Sequence, residues 1–393
     1  MVERFVILLG LFGLGGVVYI YGGYLALLRV IGMLARAERH IRAPVADDCL
    51  PALTVYFSAY NEEELVGRRL LNLVGQDYPR ERVEIVVVSD GSTDGTVDEA
   101  KRVAAAHAGW QIRVVDGSEN RGRHFAQNLV AREARHDILV ATDADAEFAP
   151  GFLRVVGETF CDPRVGVGGG VVVYRRRLSK ISDSIRTYRG MEHALRAAEE
   201  RLGILAKTDG PCTAYRREVW QEIEEFEDLD HVVVIFARVR GLEAVQMDEA
   251  ICYDTPNSAW RQELRARSRM TRKGLLSIHK RWRAKQITAY PGFSFALYSH
   301  RHVRYMSPAF LLCLMVGACG VGVDLIGWLS MMVVLVGIAM VGALLAWLPW
   351  QRVRGWWGPL ESFLVANAGF AYGIYRWLRG DRTGRYRPAR FAG

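Results

Sequence analysis

The sequence predicts an α/β domain with a largely parallel sheet, joined to helices that span a membrane. Half of the 393 residues are apolar and the mean hydropathy is +0.05, yet 24% are charged, the ordinary share for a soluble protein. The apolar excess must therefore be concentrated in part of the chain. From about residue 50 to residue 300, short apolar runs alternate with amphipathic stretches, the pattern of strands and helices in a parallel α/β sheet.

Composition and charge exclude several other classes of protein. Aromatic residues make up 10% of the chain, which excludes global disorder. The six cysteines form no CxxC pair, so neither a zinc site nor a disulfide framework is indicated, and a reducing compartment is favoured. The formal charge is +8, but the basic residues stand beside apolar runs. We therefore expect contacts with anionic membrane lipids and no nucleic-acid partner.

The first predicted span is a charge-free run near the N-terminus. Residues 5–28 hold no charge over 24 positions, enough at about 1.5 Å per residue to cross a hydrocarbon core of about 30 Å. Arg29, Arg36, Arg39 and Arg42 follow this run, which disfavours a cleaved signal peptide and places the C-terminal end of the helix in the cytoplasm. We expect an integral protein of the inner or plasma membrane whose α/β domain is cytoplasmic.

The second apolar region is predicted to be a transmembrane hairpin. Residues 306–349 contain one charge, Asp324, near the middle, and a solvated turn there avoids the cost of a buried carboxylate. Residues 359–375 are shorter and carry Glu361 and Asn367. A full third span would place the basic C-terminal tail outside, so we expect this segment to lie in the interface or to re-enter.

Three carboxylates follow predicted strands. Asp90 ends the run EIVVVSD, and Asp143 and Asp145 follow DILVAT. Ligands of parallel α/β sheets bind at the carboxyl ends of strands, where two carboxylates can share one divalent cation. Taken alone, the segment after Asp90 is equally typical of a turn and a helix cap, and a DxD sequence is common by chance.

Longer motifs distinguish between these interpretations. The run FSAYNEEELVGRRLLNLVGQDYP, followed in order by VEIVVVSDGSTDGT, NRGRHFAQN, ATDADAEFAP and TDGPCTAYRREVW, resembles the family 2 glycosyltransferases of GT-A fold over about 200 residues. The membrane-integrated branch of that family, with the cellulose, chitin and hyaluronan synthases, has similar flanking spans. The resemblance implies a Rossmann-like, nucleotide-sugar-binding cytoplasmic domain with one N-terminal and two to three C-terminal transmembrane helices.

The resemblance also implies roles for individual residues around the donor. Tyr60 and Asp90 would hold the nucleoside of a nucleotide-sugar, with a UDP-sugar as the preferred donor. Asp143 and Asp145 would bind Mg²⁺ or Mn²⁺ that bridges the diphosphate. Arg123 stands where the family usually has lysine, and a guanidinium can still neutralise phosphate.

Asp230 aligns with the aspartate that acts as general base in the family, taking a proton from the attacking acceptor hydroxyl. The family has an acidic residue just before that aspartate, where this chain has Leu229. Asp228 therefore remains the alternative base, and an exposed acidic loop without a catalytic role remains a third interpretation.

The largest departure from the family lies in the QxxRW motif of the processive synthases. The alignment places Arg269 at its arginine, near the diphosphate, and Met270 at its tryptophan. Gln262 and Arg265 match QxxR literally, but Ala266 follows them. In either alignment the tryptophan of the motif, which would stack beneath the acceptor sugar, is missing. Polymer synthases are therefore weaker models for this chain.

The same stretch predicts a basic helix. Arg261, Arg265, Arg269 and Arg272 recur at helical spacing and are expected along one face, toward phosphates or lipid headgroups. We assign Arg269 to the diphosphate and the others to the membrane, and we expect His300, in the basic entry to the hairpin, to be interfacial.

The sequence therefore predicts a metal-dependent, inverting hexosyltransferase that acts on a glycan or lipid-linked acceptor in polysaccharide or glycoconjugate synthesis. A catalytically silent membrane scaffold is the alternative, and a homo-oligomer is left open. The predicted organisation is an N-terminal transmembrane helix (1–30), a basic linker (31–49), the glycosyltransferase domain (50–260), basic interfacial helices (261–305), a transmembrane hairpin (306–349), an interfacial belt with a third apolar segment (350–378) and a basic tail (379–393).

Overall fold

The computed structural model of the chain describes residues 2–35, 44–174, 180–255, 260–283, 288–320 and 354–381. The predicted turn at Asp324 lies outside these ranges, as do most of the predicted hairpin and most of the basic tail.

One long apolar helix begins the chain. Helices α1 (Val2–Val18) and α2 (Tyr24–Leu34) are joined by a π-helical turn, Tyr19–Gly23. The stretch Glu3–Leu34 is long and apolar enough to cross a membrane, and most of its surface is not covered by the rest of the protein. Its exposed large side chains include Phe5, Leu8 and Leu11. This agrees with the span predicted for 1–30 and extends it by one helical turn.

An eight-stranded mixed sheet forms the centre of the domain. Its order is β3-β2-β1-β4-β7-β6-β8-β5, with β3, β2, β1 and β4 parallel and β7 antiparallel to both neighbours. β6 and β8 are also parallel to each other, whereas β5 is antiparallel to β8, so the predicted largely parallel sheet is found with antiparallel pairing at β7 and β5. The strands are β1 (Leu53–Ala59), β2 (Val83–Ser89), β3 (Gln111–Asp116), β4 (Ile138–Asp143), β5 (Glu147–Phe148), β6 (Val165–Tyr174), β7 (Thr213–Arg216) and β8 (Glu243–Asp254).

Helices cover both faces of this sheet, which is why β1 and β2 consist of nearly continuous buried apolar residues. One core contains Val66, Leu70 and Leu73, spaced so that they share a face of their helix. The second core contains Val130 and Val234. The helices of the domain are α3 (Glu63–Val74), α4 (Thr96–Ala106), α5 (Arg123–Glu133), α6 (Phe152–Thr159), α7 (Lys180–Arg201) and α8 (Leu229–Val239).

The remaining helices pack against the domain. They are α9 (Trp260–Arg283), α10 (Pro291–Leu297), a π-helical turn (Tyr298–His302), α11 (Val303–Tyr305), α12 (Ser307–Gly320) and α13 (Arg354–Leu378). The helical stretches Pro291–Tyr305 and Ser307–Gly320 meet at a bend of 58°. Together they are long and apolar enough to be a candidate membrane span, but only if the bent pair is counted as one span. Within the predicted hairpin (306–349), α12 is the helix that the structure describes.

The basic helix α9 does not present its arginines to one environment. Arg261 and Arg265 are exposed, whereas Arg272 is buried and its Nη1 lies 2.8 Å from Asp381 Oδ1. The expectation of one membrane-facing stripe is corrected because α13 covers part of α9. A Cβ atom at Gly369 would lie 2.6 Å from Arg267 Cβ, so the two helices are in close contact.

Candidate active site

A cleft of about 320 Å³ opens at the carboxyl ends of β1, β2 and β4. The parallel register aligns Ala59 with Ser89 and Ser58 with Asp143, so the residues that follow these strands meet at one rim. All seven residues predicted for the site line this cleft: Tyr60, Asp90, Arg123, Asp143, Asp145, Asp230 and Arg269.

Asp90 joins two loops at the rim. Its carboxylate accepts hydrogen bonds from the backbone N–H groups of Arg121 (2.8 Å) and Gly122 (2.9 Å to Oδ2). Gly91 has φ +74°, and a Cβ there would lie 2.5 Å from the Glu119 carbonyl carbon, so glycine is required for this close approach. Asp90 therefore stabilises a turn and also lines the cleft. The interpretation of its motif as a turn is compatible with its interpretation as part of a binding site.

Asp143 and Asp145 form the acidic side of the cleft. Arg123 begins α5, and its Nη1 lies 3.1 Å from Asp143 Oδ1. Loss of hydration and the adjacent charge of Asp143 raise the pKa of Asp145, against the opposing effect of Arg123. The two carboxylates lie close together, with one arginine beside them. A divalent cation bound by both would replace their mutual repulsion by attraction.

Two charged residues behind this pair were missed in the sequence. Arg69 on α3 is buried, and its Nη2 donates to Thr142 Oγ1 at 2.6 Å, immediately before Asp143. At the end of β8, burial and then the charges of Asp145 and Asp143 raise the pKa of Asp254 to about 7. Arg69 lies within the first run that carries the family resemblance, but the resemblance gave it no role, and Asp254 lies outside the quoted runs. Both are brought to the site by elements distant in the sequence from Asp143 and Asp145.

Asp228 and Asp230 are in different electrostatic surroundings. Lys273 Nζ donates to Asp228 Oδ1 at 3.0 Å. Burial raises the pKa of Asp228, but Lys273 and Arg269 outweigh it and lower that pKa to about 2. Asp230, in the first turn of α8, has its pKa raised by burial, although Lys207 and Arg301 oppose the rise. A carboxyl group with a raised pKa is the stronger base.

Helix α9 brings positive charge to the cleft. Arg269 and Lys273 are four residues apart, so both lie on the face of α9 that lines the cleft. Sequence reasoning selected Arg269 and missed Lys273, although the helical spacing of the basic residues contained the signal.

The donor atoms fit a hard divalent cation. Carboxylate oxygens suit Mg²⁺ and Mn²⁺, which take further oxygen ligands from substrate and water. Within the described ranges, no three His, Cys, Asp or Glu side chains form a metal-binding group. Asp143 and Asp145 are the pair of carboxylates that would hold such a cation.

Comparison with known proteins identifies the domain. Residues 54–241 match the family model described as glycosyl transferase family 2. The domain that contains the sheet and the cleft is therefore a glycosyl transferase family 2 domain with a GT-A-like fold.

Individual relatives are distant. The chain is 25% identical over 233 residues to poly-beta-1,6-N-acetyl-D-glucosamine synthase of Staphylococcus aureus, covering 56% of this chain and 54% of that protein. It is 30% identical over 125 residues to glycosyltransferase AglE of Haloferax volcanii, covering 32% of this chain and 40% of that protein. The chain thus spans about half the length, or less, of these relatives.

A solved structure has the same fold over nearly the whole chain. The mannosyltransferase PcManGT from Pyrobaculum calidifontis, solved with GDP-Man and Mn²⁺, matches with a TM-score of 0.69 and 22% identity. The match covers 95% of this chain and all of the other chain. At this identity the likeness establishes the fold.

Proposed function

We propose that the chain is a membrane-bound, metal-dependent, inverting glycosyltransferase. It transfers a hexose from a nucleotide-sugar to a glycan or lipid-linked acceptor at the cytoplasmic face, in polysaccharide or glycoconjugate synthesis. The observation that carries this proposal is the cleft itself, which is lined by an acidic pair, two cations from α9 and one aspartate with a raised pKa.

The donor occupies the side of the cleft between β1, β2 and β4. Tyr60 and the loops joined by Asp90 contact the nucleoside. Asp143 and Asp145 would hold Mg²⁺ or Mn²⁺, and the bound cation would supply charge stabilisation for the departing diphosphate. Arg123 from α5 and Arg269 from α9 add positive charge to the cleft, where preorganised cations stabilise developing charge.

The acceptor enters from the side of α8. Its hydroxyl oxygen forms a bond to the anomeric carbon while the bond from that carbon to the diphosphate oxygen breaks. The hydroxyl proton passes to the carboxylate of Asp230, and the electron pair leaves with the nucleoside diphosphate. One displacement from the face opposite the leaving group inverts the anomeric configuration. Asp228 is held by Lys273 and is the weaker base.

The experiment uses purified full-length protein in nanodiscs with a panel of UDP- and GDP-sugars and either Mn²⁺ or Mg²⁺. Release of the nucleoside diphosphate identifies the donor. Asp143→Asn should abolish metal-dependent donor binding, whereas Asp230→Asn should preserve donor binding and stop turnover. Full turnover by the Asp230→Asn variant would contradict the assignment of the base. Donor binding without turnover for every sugar and acceptor would favour the silent scaffold instead.

A further inference from the structure

The acidic loop that leads into α8 is fastened to helix α9. This acidic loop, residues 221–228, holds five carboxylates: Glu222, Glu224, Glu225, Glu227 and Asp228. The sequence left open that it is an exposed segment without a catalytic role. In the structure Glu227 is buried at the wall of the cleft, so this end of the acidic loop belongs to the packed interior.

Glu227 and Arg281 form a buried bidentate ion pair. Arg281 Nε donates to Glu227 Oε1 and Arg281 Nη2 donates to Glu227 Oε2, both at 2.8 Å. Glu227 Oε2 also accepts the backbone N–H of Glu224 at 3.1 Å, which folds the acidic loop onto its own carboxylate. Two parallel hydrogen bonds fix the direction as well as the distance between the two planar groups. The pair therefore sets the position of the acidic loop against α9.

The same face of α9 makes two further contacts with the acidic loop. Lys280 and Arg281 follow Lys273 by about two helical turns, so the three cations share one face. Lys273 Nζ donates to Asp228 Oδ1 at 3.0 Å, and Lys280 Nζ donates to the Glu224 carboxylate. Helix α9 thus holds the acidic loop at three carboxylates along its length.

These contacts replace the usual cap of α8. Asp228 is the N-cap residue of α8, and an aspartate there ordinarily accepts a hydrogen bond from an N–H group of the first turn. Helix α8 has no side-chain cap of this kind, and the Asp228 carboxylate accepts from Lys273 instead. The first turn of α8, which contains Asp230, is therefore fixed from outside the helix.

The acidic loop is fixed to the donor side as well. Asn128 on α5 donates from Nδ2 to the Ile223 carbonyl oxygen at 2.8 Å and accepts the Ile223 N–H at 3.0 Å. Helix α5 begins with Arg123, and α9 carries Arg269, and both of these arginines line the cleft. The acidic loop therefore ties the first turn of α8 to the two helices that supply cations to the donor side.

We propose that Glu227 and Arg281 are a positioning pair for the general base. By clamping the acidic loop to α9, they hold the first turn of α8 so that the Asp230 carboxylate faces the acceptor hydroxyl. Neither side chain of the pair takes part in the proton transfer. The inference rests on the proposed function and adds to it the contact that fixes the base.

The test measures kcat, donor affinity and melting temperature for full-length protein in nanodiscs, with the UDP- or GDP-sugar that the wild type turns over with Mn²⁺. Donor binding counts the folded sites, and kcat is expressed per site. Arg281→Lys keeps the charge but cannot form the two parallel hydrogen bonds. It should lower kcat by about 10- to 100-fold and leave donor affinity unchanged, because a small displacement of a catalytic group is enough to slow the reaction this much.

A double variant separates positioning from stability. Glu227→Gln and Arg281→Met each leave one buried charge without its bidentate partner, so each should lower the melting temperature. The two substitutions together remove both charges, and the melting temperature should recover toward that of the wild type. Because the clamp is still absent, kcat should stay about tenfold or more below the wild-type value.

The matched control is an exposed ion pair of the same loop. Arg132 Nη1 lies 3.5 Å from Glu222 Oε1, and the two side chains are 59% and 73% exposed. Exposed ion pairs contribute little to stability. Arg132→Gln should therefore match the wild type in kcat, donor affinity and melting temperature.

Recovery of kcat together with the melting temperature in the double variant would reduce the pair to a structural role and overturn the inference. A wild-type kcat in Arg281→Lys would overturn it too, and this variant decides if the double variant does not fold. A loss of donor affinity that matches the loss of kcat would assign the pair to donor binding instead. Absence of turnover by the wild type with every sugar would reject the proposed function and the inference with it, whereas the other outcomes reject the positioning pair alone.

Discussion

Asp228 and Asp230 are two residues apart and differ in what surrounds their charge. Lys273 stabilises the ionised form of Asp228, whereas burial destabilises the ionised form of Asp230. The difference has a chemical consequence, because a base whose pKa approaches the working pH accepts a proton more readily.

The pH dependence of turnover should report this difference. The base acts when ionised, and the pKa of Asp230 is raised, so activity falls as the pH falls through a value above the ordinary aspartate pKa of about 3.9. Asp228→Asn removes a neighbouring negative charge that raises the pKa of Asp230, so the acidic limb of kcat should move to lower pH. Asp230→Asn should lower kcat by about 10²- to 10⁴-fold. A kcat profile unchanged by Asp228→Asn would contradict the coupling.

Arg69 shows how a buried side chain supports the acidic pair. Burial lowers the pKa of its guanidinium to about 10, while Asp143 and Asp145 oppose that shift. Arg69→Met should lower stability by about 1–3 kcal/mol through the Thr142 hydroxyl it leaves unpaired, and should weaken Mn²⁺ binding by displacing Asp143. Urea unfolding and calorimetric Mn²⁺ titration measure the two effects. Normal Mn²⁺ affinity in a destabilised variant would limit Arg69 to a packing role.

At the scale of elements, the loops after β2 and β3 depend on one backbone conformation. Gly91→Ala forces a side chain to φ +74° and against the Glu119 backbone, which should cost about 1–3 kcal/mol and weaken nucleotide-sugar binding. Gly190→Ala is the matched control, because Gly190 lies within α7 with no atom near its Cβ position and should stabilise by about 0.5–1 kcal/mol. Melting curves and donor titrations distinguish them, and equal donor affinity in the two variants would contradict the role of the loop.

The contact between α9 and α13 is a second test at this scale. A Cβ at Gly373 would lie 2.8 Å from the Ser268 carbonyl oxygen, so Gly373→Ala must separate the helices. Arg269 follows Ser268 directly and lines the donor cleft. The variant should have a higher KM for the nucleotide-sugar and a lower melting temperature. Gly32→Ala, on the open surface of α2, should leave KM unchanged and should not lower the melting temperature. A KM unchanged by Gly373→Ala would show that α9 does not depend on α13.

At the scale of the whole molecule, the proposed topology places the sheet domain on the cytoplasmic side of the membrane. Cys49 is exposed beside the domain. In a variant with Cys161→Ser, Cys313→Ser and Cys319→Ser, a membrane-impermeant maleimide should label Cys49 in inverted vesicles and leave it unlabelled in intact cells. Adding Cys49→Ser should remove the label. Labelling of Cys49 in intact cells would reverse the proposed orientation.

The order of strands and helices from β1 to β4, the candidate first span and the residues at the strand ends could all be predicted from the sequence. These depend on local periodicity and on the rule that parallel strands end at one rim, which is why Asp90, Asp143 and Asp145 meet as predicted. The family motifs added Tyr60 and Asp230, which line the same cleft.

The electrostatic surroundings of each charged residue depend on the packing of the whole fold. This packing separated Asp228 from Asp230, divided the arginines of α9 between solvent, cleft and core, and placed His300 between Glu192 and Glu199 instead of at an interface. Burial and Coulomb energies depend on partners far apart in the sequence, as Lys207, Arg301 and Glu192 are, and no local pattern encodes which of them will share a cavity.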